Sequence, residues 1–122
     1  MKQALIQVRR DEEAAFAEAI DRAKQAMRTG IPSDPLATFT FSSAAQLFSV
    51  FTVKRFELIE HLQKIGPSIV RGLARSLGRD VRRVHDDVVV LIDWGIVERN
   101  DAGKVFVPYD VIHAGFDLRA AA

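Results

Sequence analysis

The chain has 122 residues, 48% of them apolar, with 17 Lys and Arg against 16 Asp and Glu, and no cysteine. This is enough apolar material for one domain with a sizeable core, and the lack of cysteine excludes disulfides, thiolate zinc and cysteine nucleophiles. A net charge of +1 excludes a histone-like protein that coats DNA by bulk charge, but is compatible with one concentrated basic patch.

Met1-Lys2-Gln3 leads into an acidic amphipathic segment rather than an apolar signal core. No apolar run approaches the roughly 18 residues needed to span a bilayer. A cytoplasmic protein with no membrane partner is expected. From Asp11 to Arg28 the spacing of Phe16, Ile20, Ala23 and Met27 predicts a helix, acidic at its start and basic towards its end, ahead of Gly30 and Pro32. Its narrow, alanine-rich stripe is expected to pack either on the domain core or on the same helix of a second subunit. Ile31 to Leu36, with two prolines, reads as a linker. The predicted organisation is therefore an arm over 1–37 and a domain over 38–122.

Thr38 to Phe41 alternates as a short strand. Ser43-Ala44-Ala45-Gln46 is a capping box opening a helix through about Phe51, with Leu47, Phe48 and Phe51 on its apolar side. The next helix begins near Val53, with Phe56, Ile59, Leu62 and Ile65 as its buried stripe and Lys54, Arg55, Glu57, Glu60 and Lys64 as its wet face; Gly66-Pro67 ends it. Ser68 is expected to cap a helix over about 69–77, Gly78 to close it in the left-handed conformation, and Asp80 to cap another helix running to Trp94. Two helices so closely spaced have helix-turn-helix spacing. Phasing the second at about 100° per residue puts Val81, Val84, Val88, Leu91 and Ile92 in one arc, and Arg82, Arg83, Asp86, Val90 and Asp93 opposite.

After Trp94-Gly95 the period changes to two. Ile96 to Arg99 and Lys104 to Val107 flank Asn100-Asp101-Ala102-Gly103, a hairpin signal, and Val111 to Leu118 alternates as a last strand. The order implies a mainly α fold with a small β component: a winged helix-turn-helix, with a three-helix core, a β-hairpin wing and an N-terminal helical arm.

Arg71, Arg75, Arg79, Arg82 and Arg83 face one acid, Asp80, within a short stretch of an otherwise balanced chain, and concentrated charge of this kind is a nucleic-acid footprint. Arg82 and Arg83, in the first turn of the second helix, are the candidates for base readout, since a guanidinium fork can donate to guanine O6 and N7 together. Arg71, Arg75 and Arg79 are candidate phosphate clamps. Asp86 either accepts from a cytosine amino group or holds Arg82 in place from one turn away; His85 is either a boundary histidine or a phosphate contact. Ser68 and Ser76 offer hydroxyls to phosphate as well as their cap and surface roles. Arg99 and Lys104, flanking the wing tip, read equally as backbone contacts and as strand-end charges. His61, His85 and His113 lack ligand spacing, and no nucleophile elbow or glycine-rich phosphate loop is present, so no enzyme, metal or small-molecule cofactor is expected.

The runs FTVKRFELIEHL, SIVRGLARSLGRDVRRVHDDVVVLIDWGIVERND and VFVPYDVI resemble small prokaryotic winged-helix DNA-binding proteins related to MarR-type regulators, some of them antitoxins encoded beside a toxin gene. The resemblance covers about Thr38 to Leu118, and its most specific parts are LGRDVRRVHDDV and Pro108-Tyr109-Asp110. It implies a dimeric DNA-binding regulator, and the protein expected is a repressor or autoregulator that binds double-stranded DNA at an inverted repeat as a homodimer. The alternative is an antitoxin whose N-terminal arm binds and neutralises a toxin protein.

Overall fold

Gln3 to Val8 forms a strand, β1, although its sequence QALIQV opens a segment that otherwise reads as acidic helix. The computed structural model describes residues 2–9, 20, 21, 23, 24, 27, 28, 37–118 and 120. Beyond β1 the elements are β2 (Ala37–Phe41), α1 (Ala44–Val50), α2 (Val53–Ile65), α3 (Val70–Leu77), α4 (Val81–Trp94), β3 (Glu98–Arg99), β4 (Val105–Phe106) and β5 (Val111–Gly115). They fall into two compact units, one of residues 1–47 with 111–122 and one of residues 48–110, with the boundary inside α1. The division at 37/38 expected from the proline-rich linker therefore falls within the first unit. The linker itself lies outside the described residues. So does most of the helix expected over Asp11 to Arg28, although Ile20, Asp21, Ala23, Lys24, Met27 and Arg28 are helical and exposed.

The first unit is a three-stranded parallel sheet of order β2-β1-β5. Register pairs Ala4 with Ala37 and Ile112, Ile6 with Phe39 and Ala114, and Val8 with Phe41, so one face is wholly apolar. Ala4, Ile6 and Phe41 are buried on it. The other face carries Gln7, whose Nε2 donates to Thr40 Oγ1 at 3.2 Å and whose Oε1 accepts from Arg9 Nε at 3.4 Å. Parallel sheets are usually covered on both faces, and this one is apolar on one side only.

This sheet overturns the expected mainly α winged helix-turn-helix with an N-terminal helical arm. The chain's two ends are joined in one parallel sheet, with β1 as the central strand, and a separate two-stranded antiparallel sheet forms from β3 and β4. Local periodicity did show the strand at Thr38 to Phe41 and the start of the last strand, which ends at Gly115 rather than Leu118. It carried no information about the partner that joins them.

In the second unit the core is Phe51, Leu58, Ile59, Leu62, Leu73, Ala74, Val84, Val88, Leu91, Ile96, Val97 and Val105. Caps set the helix limits. Ser43 Oγ accepts from Gln46 N at 3.1 Å, while Gln46 Oε1 returns to Ser42 N at 2.7 Å, so the capping box closes one residue early. Thr52 Oγ1 accepts from Arg55 N at the start of α2, and Asp80 Oδ2 accepts from Arg83 N at 3.2 Å at the start of α4. Gly78 ends α3 at φ 67° and ψ 34°, its N–H donating back to Arg75 O.

Ser68 does not cap α3. Ile69 holds that position without a side-chain cap, because the Ser68 backbone exchanges hydrogen bonds with Val105 at 3.0 and 2.8 Å and Ser68 Oγ donates to Gly66 O. The hairpin turn forms as expected: Asn100 Oδ1 accepts from Ala102 N and Lys104 N, and Gly103 takes φ 78°.

Candidate nucleic-acid interface

The face that α4 turns outward differs from the phasing in two places. Val84, Val88 and Leu91 are buried as expected, but Val81 is 41% exposed, and Val89 rather than Val90 is the exposed apolar residue of the helix centre. The buried arc of Val84, Val88 and Leu91 is centred close to Val84. At about 100° per residue the opposite direction is that of Asp93, Asp86 and Arg82, with Val89 and Val90 on the two flanks. Arg82 therefore stands on the outward face together with these two carboxylates, and Arg83, also exposed, at its edge. Along that face charge changes sign, from arginine in the first turn to Asp86 and then Asp93. A polyanion laid on α4 would be favoured only over its N-terminal half.

Arg71 and Arg75 lie one turn apart on α3 and project from the same side. Arg71, Arg75, Arg82, Arg83, Arg99 and Lys104 are all exposed, and none makes an ion pair among the described residues. Arg82 is not held by Asp86, whose Oδ1 lies 3.7 Å from His85 Nδ1 instead. Arg99 ends β3 and Lys104 precedes β4, on either side of the Asn100 turn.

Arg79 belongs elsewhere. Its Nη2 donates to Asp87 Oδ2 at 2.8 Å, and its side chain is only 17% exposed. The other carboxylate oxygen, Asp87 Oδ1, accepts from Arg55 Nε at 3.0 Å, and Arg55 Nη1 donates to Ser49 O and Val50 O at the C-terminus of α1. One carboxylate thus ties α4 to the turn before it, to α2 and to the end of α1. Arg79 serves as an internal strut, not the phosphate clamp expected from its place in the cluster. Arg55 thus leaves the wet face expected for it on α2, and Asp87 becomes the partner of two arginines. No sequence signal marks either, because their partners come from other elements.

Ser76 is also engaged: its Oγ and His61 Nε2 are hydrogen-bonded at 2.6 Å, joining α3 to α2. Tyr109, in the Pro108-Tyr109-Asp110 tripeptide, has its hydroxyl 3.5 Å from Gly95 O. Burial, and then the nearby Glu98 carboxylate, raise its pKa above the ordinary phenol value. Among the described residues no group of His, Asp and Glu is arranged to hold a metal ion, and no helix is long and apolar enough to cross a membrane.

The second unit thus carries, on α3, α4 and the short β3–β4 hairpin, a set of exposed cations without ion-pair partners among the described residues. The chain belongs to the HVO_A0114 family, whose model matches residues 50–114, more than half of its length and nearly all of that unit. No curated protein and no solved structure matches the chain.

Proposed function

We propose that the protein is a sequence-specific regulator of double-stranded DNA, a repressor or autoregulator that binds an inverted repeat as a homodimer. The observation that carries this reading is the sorting of the arginines. Arg55 and Arg79 both bond the Asp87 carboxylate and are largely withdrawn from solvent, while Arg71, Arg75, Arg82 and Arg83 on α3 and α4 stay exposed without ion-pair partners among the described residues. Arg82, in the first turn of α4 on its outward face, is assigned to base readout with Arg83 beside it. Arg71 and Arg75 are assigned to phosphate, with Arg99 and Lys104 on the hairpin in the same role. In a dimer, two copies of α4 would enter successive major grooves about 34 Å apart.

The reading in which residues 1–37 form a separate toxin-binding arm has less support. Gln3–Val8 is the central strand of the sheet, and releasing it would dissolve the pairing with both β2 and β5.

The test is binding to the duplex upstream of the protein's own gene against a scrambled duplex, across a salt series, for wild type and the Arg82→Ala/Arg83→Ala double variant. Preference for the upstream duplex that the double variant loses, with a steep salt dependence, is expected. No preference in wild type would sink the proposal.

A further inference from the structure

We propose that the outer edge of β2 is a self-association surface, on which a second copy of this chain pairs antiparallel about a two-fold axis at Phe39. This supplies the interface for the dimer of the DNA-binding reading, and rests on that reading only for the expectation of a two-fold partner.

Backbone direction decides what the edge offers. Phe41 O accepts from Arg9 N at 2.9 Å, so Phe41 turns its hydrogen-bonding groups towards β1. These groups alternate along a strand. Ala37 and Phe39 therefore also face β1, and Thr38 and Thr40 turn their N–H and C=O groups to the other side. Among the described residues no strand pairs with β2 on that side, and both threonines are exposed.

The sequence ATFTF is self-complementary in the antiparallel sense. Centred on Phe39, the pairing sets Thr38 against Thr40 of the partner subunit and Thr40 against Thr38 of the partner subunit, each pair exchanging both of its backbone bonds. Phe39 then faces Phe39 of the partner subunit across the axis as a non-hydrogen-bonded pair. Ala37 meets Phe41 of the partner subunit, small against large, on the side of the sheet that is apolar in register. The result is one sheet of order β5-β1-β2-β2-β1-β5 whose apolar face runs through the axis.

Composition separates the two edges. Natural edge strands resist pairing with charge, proline or a bulge. Within the strands themselves, Ala37–Phe41 has no charge and no proline, whereas β5 contains His113; both strands have a breaker or charge within two residues, Pro35 before β2 and Asp110 and Asp117 around β5.

The full chain is measured by size exclusion with light scattering. Wild type is expected to be a dimer. Thr38→Pro removes an N–H that faces away from β1, a position where an edge strand tolerates proline. This variant is expected to be a monomer with unchanged far-UV circular dichroism, and to bind a two-half-site duplex about a hundredfold more weakly. The native chain has no cysteine, so a single introduced thiol reports register. Phe39→Cys, on the axis with Cα atoms about 4.5 Å apart, is expected to oxidise to a covalent dimer, while Thr38→Cys, displaced from its own copy along the strand, is not.

A monomeric wild type, or a Thr38→Pro chain that remains dimeric, overturns the proposal. If Thr38→Pro does not fold, the cysteine variants decide: no cross-link through Phe39→Cys, or equal cross-linking by both, overturns it as well. A dimer through this edge without duplex preference supports the interface and ends the DNA-binding reading; a monomer that prefers the upstream duplex does the reverse.

Discussion

Arg79 Nη2 lies 2.8 Å from Asp87 Oδ2, joining the turn between α3 and α4 to the second turn of α4 itself. With Arg55 on the other carboxylate oxygen, this contact fixes the direction in which α4 presents Arg82, although neither Arg55 nor Asp87 belongs to the outward face. Each of the three side chains is less than one-fifth exposed, so the pairs are only weakly screened by solvent.

Removing that carboxylate leaves two guanidiniums poorly solvated and uncompensated. Asp87→Ala is expected to destabilise the protein by about 3 kcal/mol, whereas Asp86→Ala, at a side chain 73% exposed, should stay within about 0.5 kcal/mol of wild type. Urea denaturation midpoints at unchanged m-value check both. An Asp87→Ala chain as stable as wild type would remove Asp87 from this role.

The exposed arginines should separate by kind of DNA contact. Arg82→Ala is expected to lower discrimination between the correct and a mismatched duplex by about 1–3 kcal/mol. Arg71→Ala or Arg75→Ala should weaken binding to all duplexes alike and reduce the salt slope by about one. Titrations on matched and mismatched duplexes at several salt concentrations distinguish the two patterns.

Gly78 occupies the left-handed region at φ 67°, and a Cβ added there meets nothing within 4 Å. Gly78→Ala therefore isolates backbone strain from steric clash. It is expected to cost about 1–2 kcal/mol, read as a lower urea midpoint. A neutral result would mean that the turn between α3 and α4 relaxes at no cost.

Tyr109 gives the stability a predictable alkaline limit. Its pKa is raised in the folded chain, through burial and then Glu98, so the folded state holds the phenolic proton more tightly than the unfolded chain. The resulting stability is fully present below the unfolded value of about 10 and is lost as pH rises through the folded value. Thermal melts from pH 8 upwards should show a fall in wild type that is smaller in Tyr109→Phe.

Much of the second unit was legible because its signals are local. Gly78, Asp80 and the Asn100 to Gly103 turn each act within a few residues of themselves, and the structure places each in its expected role. Ser68 looked equally local, but its backbone pairs with Val105, and that long-range bridge takes precedence over capping. The alternation QALIQV was also present at the start of the chain. Without a visible partner it was subsumed in the acidic segment that follows.

The sequence by itself determined the helices from Val53 to Trp94, the tight turn between α3 and α4, the hairpin and the clustering of arginines, since helix caps, turn glycines and periodicity depend on neighbours close in the chain. Only the tertiary structure decided that Gln3–Val8 lies between Ala37–Phe41 and Val111–Gly115, and that Arg79 is committed inward while Arg82 is left exposed. Parallel pairing and part-buried ion pairs depend on which distant segments meet, and no local period encodes that meeting.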